Sequence, residues 1–324
     1  MHRKSYGAFA AAIGAAITFS LAACGDDGGG ESGGGGESGG GEDPVAVACV
    51  LKSLESPFWI AAKEGCEKAA EAAGAELIFG AGETEADIAG ELSKVEDALT
   101  KGAKALVVAP SAPDQLQPVL DRAAEDIPVL LLDTDIPDMK SKTSYVGTDN
   151  VAAGKLGGQF ILDNGGQGKF GIVTGDPGIT SIEDRIKGAR KAWKGSAIEL
   201  VQVVNARGCT RDAGVTVTED LLTANPDLDG IFFVCDQPML GGVEAIKKAG
   251  KKPEDLFIVG FDAEPEAVDL VAQGVVDGDV AQFPGKMGEL GIENAIKAID
   301  GETVPKFIDS GAEVVTKANA AEFK

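Results

Sequence analysis

Hydrogen-bonding side chains stand at the ends of four apolar runs along the chain. They are Asp133 after 129–132, Cys235, Asp236 and Gln237 after 230–234, Asp262 after 256–261, and Gln282 after the short run 280–281. The carboxyl ends of parallel strands meet at one edge of a sheet, where open α/β folds bind ligands. Helix capping is an alternative role for each Asp. Four such ends together favour a cleft that binds a solute by hydrogen bonding.

Two aromatic residues, Phe58 and Trp59, follow the apolar run 45–51 and a short polar loop. Pro57 suits the first turn of a helix, because its missing N–H has no partner to lose there. Alanines then recur at helical spacing through residue 73. Both rings are therefore expected at the carboxyl edge of the sheet, although core filling beneath the loop stays an open alternative.

Apolar runs alternate with helical segments throughout the chain. Strands are predicted at 45–51, 76–79, 103–109 and 129–133, and then at 170–174, 198–204, 230–234, 256–261 and 276–282. Single helices between strands, such as those predicted at 60–73, 87–100 and 113–124, predict parallel sheets of right-handed βαβ units. Two successive sets predict an α/β fold of two doubly wound parallel-sheet lobes with a cleft between them.

The polypeptide chain is expected to cross from one lobe to the other three times. Crossings near 147–148, near 282–283 and near 311 predict a three-strand hinge. The first lobe is then 44–147 plus 283–311, and the second is 148–282 plus 312–324.

The first residues predict the compartment. Arg3 and Lys4 precede an uncharged, Ala-rich segment that ends at Cys24, which is typical of a secretory signal and resembles a bacterial lipoprotein signal. A membrane-spanning helix is the alternative, but the segment is short and Gly and Asp follow it. We expect a signal peptide at 1–23, a lipidated Cys24 on the outer face of the cytoplasmic membrane, and a flexible Gly, Ser and acidic linker up to residue 43.

Composition argues against most catalytic chemistry. The chain has 29 basic and 52 acidic side chains and one His, and the predicted signal peptide contains two of the basic residues and that His. Without His, Ser-His-Asp and Cys-His catalysis and His-ligated metals are excluded. The acidic surface disfavours nucleic acid as a partner. We expect no enzyme activity, cofactor or metal. A calcium loop at 225–236 is disfavoured because 231–234 resembles a buried strand.

Seven short motifs occur in a fixed order. They are Ser56-Pro57-Phe58-Trp59, 129–133, 147–150 with Gly154, 184–188, 221–227, 259–262 and 281–282. Together they resemble the type I periplasmic sugar-binding proteins of ABC importers, the ribose-binding group, over residues 45–324. The resemblance implies the periplasmic binding protein type I fold, capture of a sugar or polyol by hinge closure, and an ABC permease as partner; we also expect a monomer.

The resemblance also implies a set of binding residues. Phe58 and Trp59 would stack on a sugar ring, whose C–H faces pack well on aromatic surfaces. Four side chains would hydrogen-bond to its hydroxyls, which both donate and accept: Ser56, Asp133, Asp262 and Gln282.

The chain departs from ribose binders at four positions. Thr134 stands in place of an arginine, Glu183 in place of a second arginine, and Cys235 and Cys209 in place of an asparagine and a phenylalanine. The site therefore loses two cations and gains an acid. Ribose is disfavoured, and another sugar, a polyol, an amino sugar or another cationic solute becomes the expected ligand.

Four cysteines besides Cys24 allow three disulfide pairings in an oxidising compartment. The resemblance places Cys209 and Cys235 together at the cleft mouth, which favours that bridge. Cys49 and Cys66 are a second candidate pair, with apolar packing as the alternative.

Two functions other than transport share this fold. A sensor subunit would present the closed form to a chemoreceptor or a kinase ectodomain, and nothing in the sequence separates it from a transport receptor. A lac-repressor-type regulator would need a helix-turn-helix ahead of the fold, which residues 25–43 cannot supply.

Overall fold

The computed structural model of the protein describes residues 44–324. The predicted signal peptide, the lipidation site Cys24 and the linker lie outside these residues. Strands and helices alternate in the first part of the chain: β1 (Ala46–Leu51), α1 (Pro57–Ala73), β2 (Glu76–Ala81), α2 (Ile88–Thr100), β3 (Ala105–Val108), α3 (Pro113–Ala123), β4 (Val129–Leu132) and β5 (Ser144–Gly147).

A second alternating set follows: α4 (Asn150–Asp163), β6 (Gly168–Thr174), α5 (Thr180–Trp193), β7 (Ile198–Asn205), α6 (Arg211–Ala224), β8 (Gly230–Phe233), α7 (Asp236–Lys248), β9 (Phe257–Asp262), α8 (Pro265–Gln273) and β10 (Gly278–Ala281). The chain ends with α9 (Pro284–Ile299), β11 (Phe307–Asp309) and β12 (Glu313–Val315). Short 3-10 turns lie at Arg207–Cys209, Pro253–Asp255 and Ala320–Phe323.

The strands form two six-stranded sheets. The first has the order β11-β5-β4-β3-β1-β2 and the second the order β12-β10-β9-β8-β6-β7. Neighbouring strands are parallel except for β10 and β12. The predicted fold class, two α/β lobes built on parallel sheets, is confirmed.

Both faces of the first sheet are covered. In β1, Val47, Cys49 and Leu51 face one apolar cluster, and Ala48 and Val50 face another on the opposite side. Such burial on both faces is the reason that the strand is a continuous apolar run rather than an alternating one. The polar residues that follow these apolar strands therefore lie at the edge of the sheet.

Helix α1 packs closely against α9 behind the first sheet. A side chain on Gly65 would clash with the carbonyl oxygen of Gly285, and one on Gly288 would clash with that of Ala62. The small residues of α1 and α9 therefore allow the two helices to approach closely. Among the helices of residues 44–324, none is both long enough and apolar enough to span a membrane.

The chain passes between the two sheets three times. It crosses between β5 and α4, between β10 and α9, and between β11 and β12. The hydroxyls of Thr148 and Ser310 lie 3.4 Å apart, so two of these crossings contact each other.

Candidate functional site

A cavity of about 230 Å³ lies at the carboxyl ends of the strands of both sheets. Side chains from both lobes line it. Those that carry charge are Lys52, Glu55, Glu85, Asp133, Arg185, Arg211, Asp262 and Glu264. Polar and apolar side chains complete the wall, among them Ser53, Ser56, Phe58, Trp59, Ser181, Ile182, Gln237 and Gln282.

Two aromatic rings form the first-lobe wall of the cavity. The Ser56 hydroxyl caps α1 by accepting a hydrogen bond from the Phe58 N–H at 3.1 Å, which fixes the first turn. The rings of Phe58 and Trp59 meet edge to face, 4.8 Å apart. The Trp59 indole N–H donates to Glu85 at 2.7 Å. Both rings also pack on the first-lobe core. They therefore fill the core and line the cavity at the same time.

Asp133 lies at the end of β4 with its backbone in the left-handed region, at a φ of 60°. Lys52, which follows β1, donates to its carboxylate at 3.3 Å and to the Thr134 hydroxyl at 2.9 Å. The Lys52 ammonium also lies 5.2 Å from the centre of the Trp59 ring. A cation therefore does stand beside Asp133, supplied by a residue 81 positions earlier in the chain.

Thr134 contacts the second lobe instead of the cavity. It is fully buried, and its hydroxyl lies 3.1 Å from that of Ser181 in α5. In the same region, the Thr180 hydroxyl donates to the backbone carbonyl of Asp135. These contacts join the two lobes at the edge of the cavity.

Asp262 and Gln282 come together on the second-lobe wall. The Gln282 amide donates to the Asp262 carboxylate at 2.6 Å, and Arg185 approaches the same carboxylate at 3.4 Å. Burial raises the pKa of Asp262, while the Arg185 guanidinium opposes that rise. The Gln282 amide oxygen is buried and has no hydrogen-bond partner within residues 44–324.

Asp236 is not on the cavity wall, contrary to the sequence-based expectation. It is fully buried at the start of α7, where its carboxylate accepts hydrogen bonds from the backbone N–H groups of Phe261 (3.2 Å) and Glu264 (2.7 Å). Asp279 accepts another from Ala263 at 3.1 Å. The two carboxyls thus hold the loop that presents Asp262, whose φ is 121°.

Glu183 also lies outside the cavity. It is exposed on α5 and accepts a hydrogen bond from the Gly178 N–H at 2.9 Å. Residues two positions apart on a helix point in nearly opposite directions. It is therefore Arg185, two residues later, whose side chain reaches the site.

Cys209 and Cys235 form a disulfide in the structure, with their Cα atoms 6.4 Å apart. Both residues line the cavity, so the bridge joins the turn before α6 to the end of β8 there. Cys49 and Cys66 are buried free thiols. Burial and the neighbouring Cys66 raise the pKa of the Cys49 thiol, which keeps it protonated.

We expect peptide mapping without reduction to recover one cross-linked pair, Cys209 with Cys235, and unmodified thiols at Cys49 and Cys66. Reduction before alkylation should separate the cross-linked peptides and serves as the control. Alkylated thiols at both Cys209 and Cys235 in the unreduced sample would show that this bridge does not form.

Sequence reasoning missed several residues of the cavity wall. Lys52 follows an apolar strand just as Asp133 does, so the same rule should have identified it. Glu85 and Glu264 lie in loops before α2 and α8, where no periodic pattern marks them. Gln237, by contrast, was expected at the end of its strand, and it lies on the wall with its amide donating to Glu264.

A buried acid, Glu91 of α2, lies behind the first-lobe loops. One carboxylate oxygen accepts a hydrogen bond from the Ser111 N–H at 3.0 Å, and the other has no partner within the described part of the chain. Burial raises the pKa of Glu91 from 4.5 to about 7. The folded chain then binds more protons than the unfolded chain in that range, so stability falls as the pH rises from 4.5 to about 7.

We expect Glu91→Gln to flatten the pH dependence of the unfolding free energy between pH 4.5 and about 7. Urea denaturation at a series of pH values measures it. Glu96→Gln, at an exposed position of the same helix, should keep the wild-type slope. An unchanged slope in Glu91→Gln would show that Glu91 ionises normally.

Comparison with known proteins agrees with this architecture. The family model described as "Periplasmic binding protein domain" matches residues 47–303. The ribose import binding protein of Escherichia coli (strain K12) is 31% identical over 273 residues, covering 84% of this chain and 90% of that protein. The D-allose-binding periplasmic protein of the same strain is 32% identical over 287 residues, covering 86% and 88%.

A solved structure shows the same similarity in three dimensions. It is an ABC transporter solute binding protein from Mycobacterium smegmatis with bound glycerol. Its TM-score is 0.80 at 31% sequence identity, covering 86% of this chain and 96% of that one. The chain therefore belongs to the ribose-binding family of type I periplasmic sugar-binding proteins, whose members bind solutes and are not enzymes.

Proposed function

We propose that this protein is a lipid-anchored extracytoplasmic receptor that captures a small carbohydrate or polyol by hinge closure and delivers it to an ABC permease. One observation carries the proposal most strongly. The cavity combines a wall of two aromatic rings with hydrogen-bonding groups from both lobes.

The cavity chemistry suits a polyhydroxylated solute. The rings of Phe58 and Trp59 offer an apolar surface to C–H groups. Asp133 and Asp262, on opposite lobes, each offer carboxyl oxygens that can accept hydrogen bonds from hydroxyl groups. The cavity volume of about 230 Å³ suits a solute of about monosaccharide size.

Contacts between the lobes support hinge closure. Ser181 meets Thr134 across the cleft, and Thr180 donates to the Asp135 carbonyl. These hydrogen bonds would break if the lobes separated, so they belong to the closed form. A ligand that touches both lobes favours closure because it gains contacts only in that form.

The proposed anchor and partner rest on the N-terminal sequence and on the family. A lipidated Cys24 would hold the protein on the outer face of the cytoplasmic membrane, and residues 25–43 would tether it. The relatives include a ribose import binding protein, so delivery to the membrane subunits of an importer is the role we extend to this chain.

A thermal-shift screen over sugars and polyols tests the proposal. We expect at least one pentose, hexose or cyclic polyol to raise the unfolding temperature in a saturable way, because a ligand that binds only the folded state stabilises it. The shift should shrink in Asp133→Asn, which keeps the shape of the side chain but not its charge. No saturable shift with any member of the panel would contradict the proposal.

A further inference from the structure

Carboxylates outnumber free cations on the wall of the cavity. Each of the three cations that line it already has a carboxylate partner: Lys52 with Asp133 at 3.3 Å, Arg185 with Asp262 at 3.4 Å, and Arg211 with Glu266 at 2.9 Å. Within residues 44–324, neither Glu85 nor Glu264 forms an ion pair, and both line the cavity. The cavity wall has five carboxyl groups, Glu55 among them, and three cations, so its acidic groups outnumber its basic groups by two even though the Lys52 charge also acts on Glu85.

Neutral donors surround these two carboxylates. Glu264 is only 5% exposed, and burial raises its pKa, while the hydrogen bond from the Gln237 amide opposes that rise. Glu85 accepts from the Trp59 indole at 2.7 Å. Such donors favour the ionised forms, but they do not compensate the charge in a buried site.

Glu85 and Glu264 face the cavity from opposite lobes. Each follows the carboxyl end of a strand, β2 in the first sheet and β9 in the second. Burial raises the pKa of Glu85, the Lys52 charge opposes that rise, and repulsion from the carboxylates of Asp133 and, across the cavity, Glu264 adds to it. A cation between them would relieve that repulsion and would favour closure of the cleft.

Gln282 gives an independent indication that the ligand donates a hydrogen bond at the second-lobe wall. Its side chain lines the cavity and is 5% exposed, and its amide N–H₂ is committed to Asp262 at 2.6 Å. Its amide oxygen is buried without a partner in the described residues. A buried acceptor of this kind costs stability unless a ligand donates to it.

We propose that the solute bound here carries a protonated amine, so that the substrate class is amino sugars or amino polyols. An ammonium group donates three hydrogen bonds and accepts none, whereas a hydroxyl supplies one donor and no charge. It therefore matches a wall with excess carboxylates and an unfilled acceptor. This inference rests on the proposed capture of a carbohydrate or polyol.

Calorimetric titration of matched probes tests the inference. D-glucosamine, D-galactosamine and D-mannosamine are each compared at pH 7 with the parent hexose and with the N-acetyl derivative, whose nitrogen is uncharged. In any series that binds, the amine should bind at least about tenfold more tightly than both neutral forms, the effect of one charged hydrogen bond. A neutral form that binds as tightly as its amine would overturn the inference and leave the proposed function intact.

Charge-removing variants locate the effect. Glu85→Gln and Glu264→Gln should each reduce the preference for the amine by about tenfold. Glu183→Gln, which removes an acid outside the cavity, should leave it unchanged. An unchanged preference in both cavity variants would overturn the assignment. Failure of all these probes and of all neutral sugars and polyols to bind would overturn the proposed function as well.

Discussion

Replacing Arg185 with methionine is expected to lower the free energy of unfolding by about 3 to 5 kcal/mol, the usual cost of removing one partner of a buried ion pair. The guanidinium is buried and donates to Asn150 at 2.9 Å and to the Val234 carbonyl at 2.8 Å. It packs 4.0 Å from the centre of the Phe261 ring and lies 3.4 Å from the Asp262 carboxylate. The variant leaves that carboxylate without its cation. Urea denaturation at pH 8 measures the loss.

Two further variants make this result specific. Lys187→Met removes an exposed cation of the same helix, paired with Asp184, and should change stability little. Adding Asp262→Asn to Arg185→Met should restore part of the lost stability, since the amide needs no cation. No recovery in the double variant would show that the ion pair is not the cause.

Replacing Trp59 with alanine is expected to weaken ligand binding by roughly 1 to 3 kcal/mol. The ring lines the cavity, and its indole N–H donates a hydrogen bond to Glu85 at 2.7 Å. Because the ring also packs on the first-lobe core, the variant will unfold at a lower temperature. Calorimetry should therefore be run well below that temperature, with the best ligand of the thermal-shift screen.

The neighbouring residue provides the control for Trp59. Ile60 is 43% exposed on the same turn of α1, and Ile60→Ala should keep the wild-type affinity. Trp59→Phe retains an aromatic face and should lose less affinity than Trp59→Ala. Equal affinity of Trp59→Ala and wild type would remove Trp59 from the binding surface.

Much of the fold could be predicted from the sequence because its central strands are buried on both faces. The uninterrupted apolar run of β1 and the helix start at Pro57 are local signals, and they agree with the structure. Strands β5, β11 and β12 were missed. They are three or four residues long, lie toward the sheet edges, and pair with distant segments such as Tyr145 with Phe307.

The site residues could be predicted where they directly follow a parallel strand, because the carboxyl ends of such strands lie at one edge of the sheet. Asp133, Asp262 and Gln282 follow central parallel strands, whose carboxyl ends must meet. Glu85 and Glu264 could not be found in this way, because loop conformation determines their direction. The loop before Glu264 includes Ala263, whose φ of 55° no periodic pattern indicates.

Fluorescence titration with the best ligand of the thermal-shift screen tests most directly whether the cleft captures its solute on the aromatic wall. The chain has two tryptophans, Trp59 on the cavity and Trp193 in the second-lobe core. We expect a saturable change of tryptophan emission in the wild type that is absent from Trp59→Phe. Saturable binding by calorimetry with no emission change in the wild type, or with the same change in Trp59→Phe, would contradict capture at this wall.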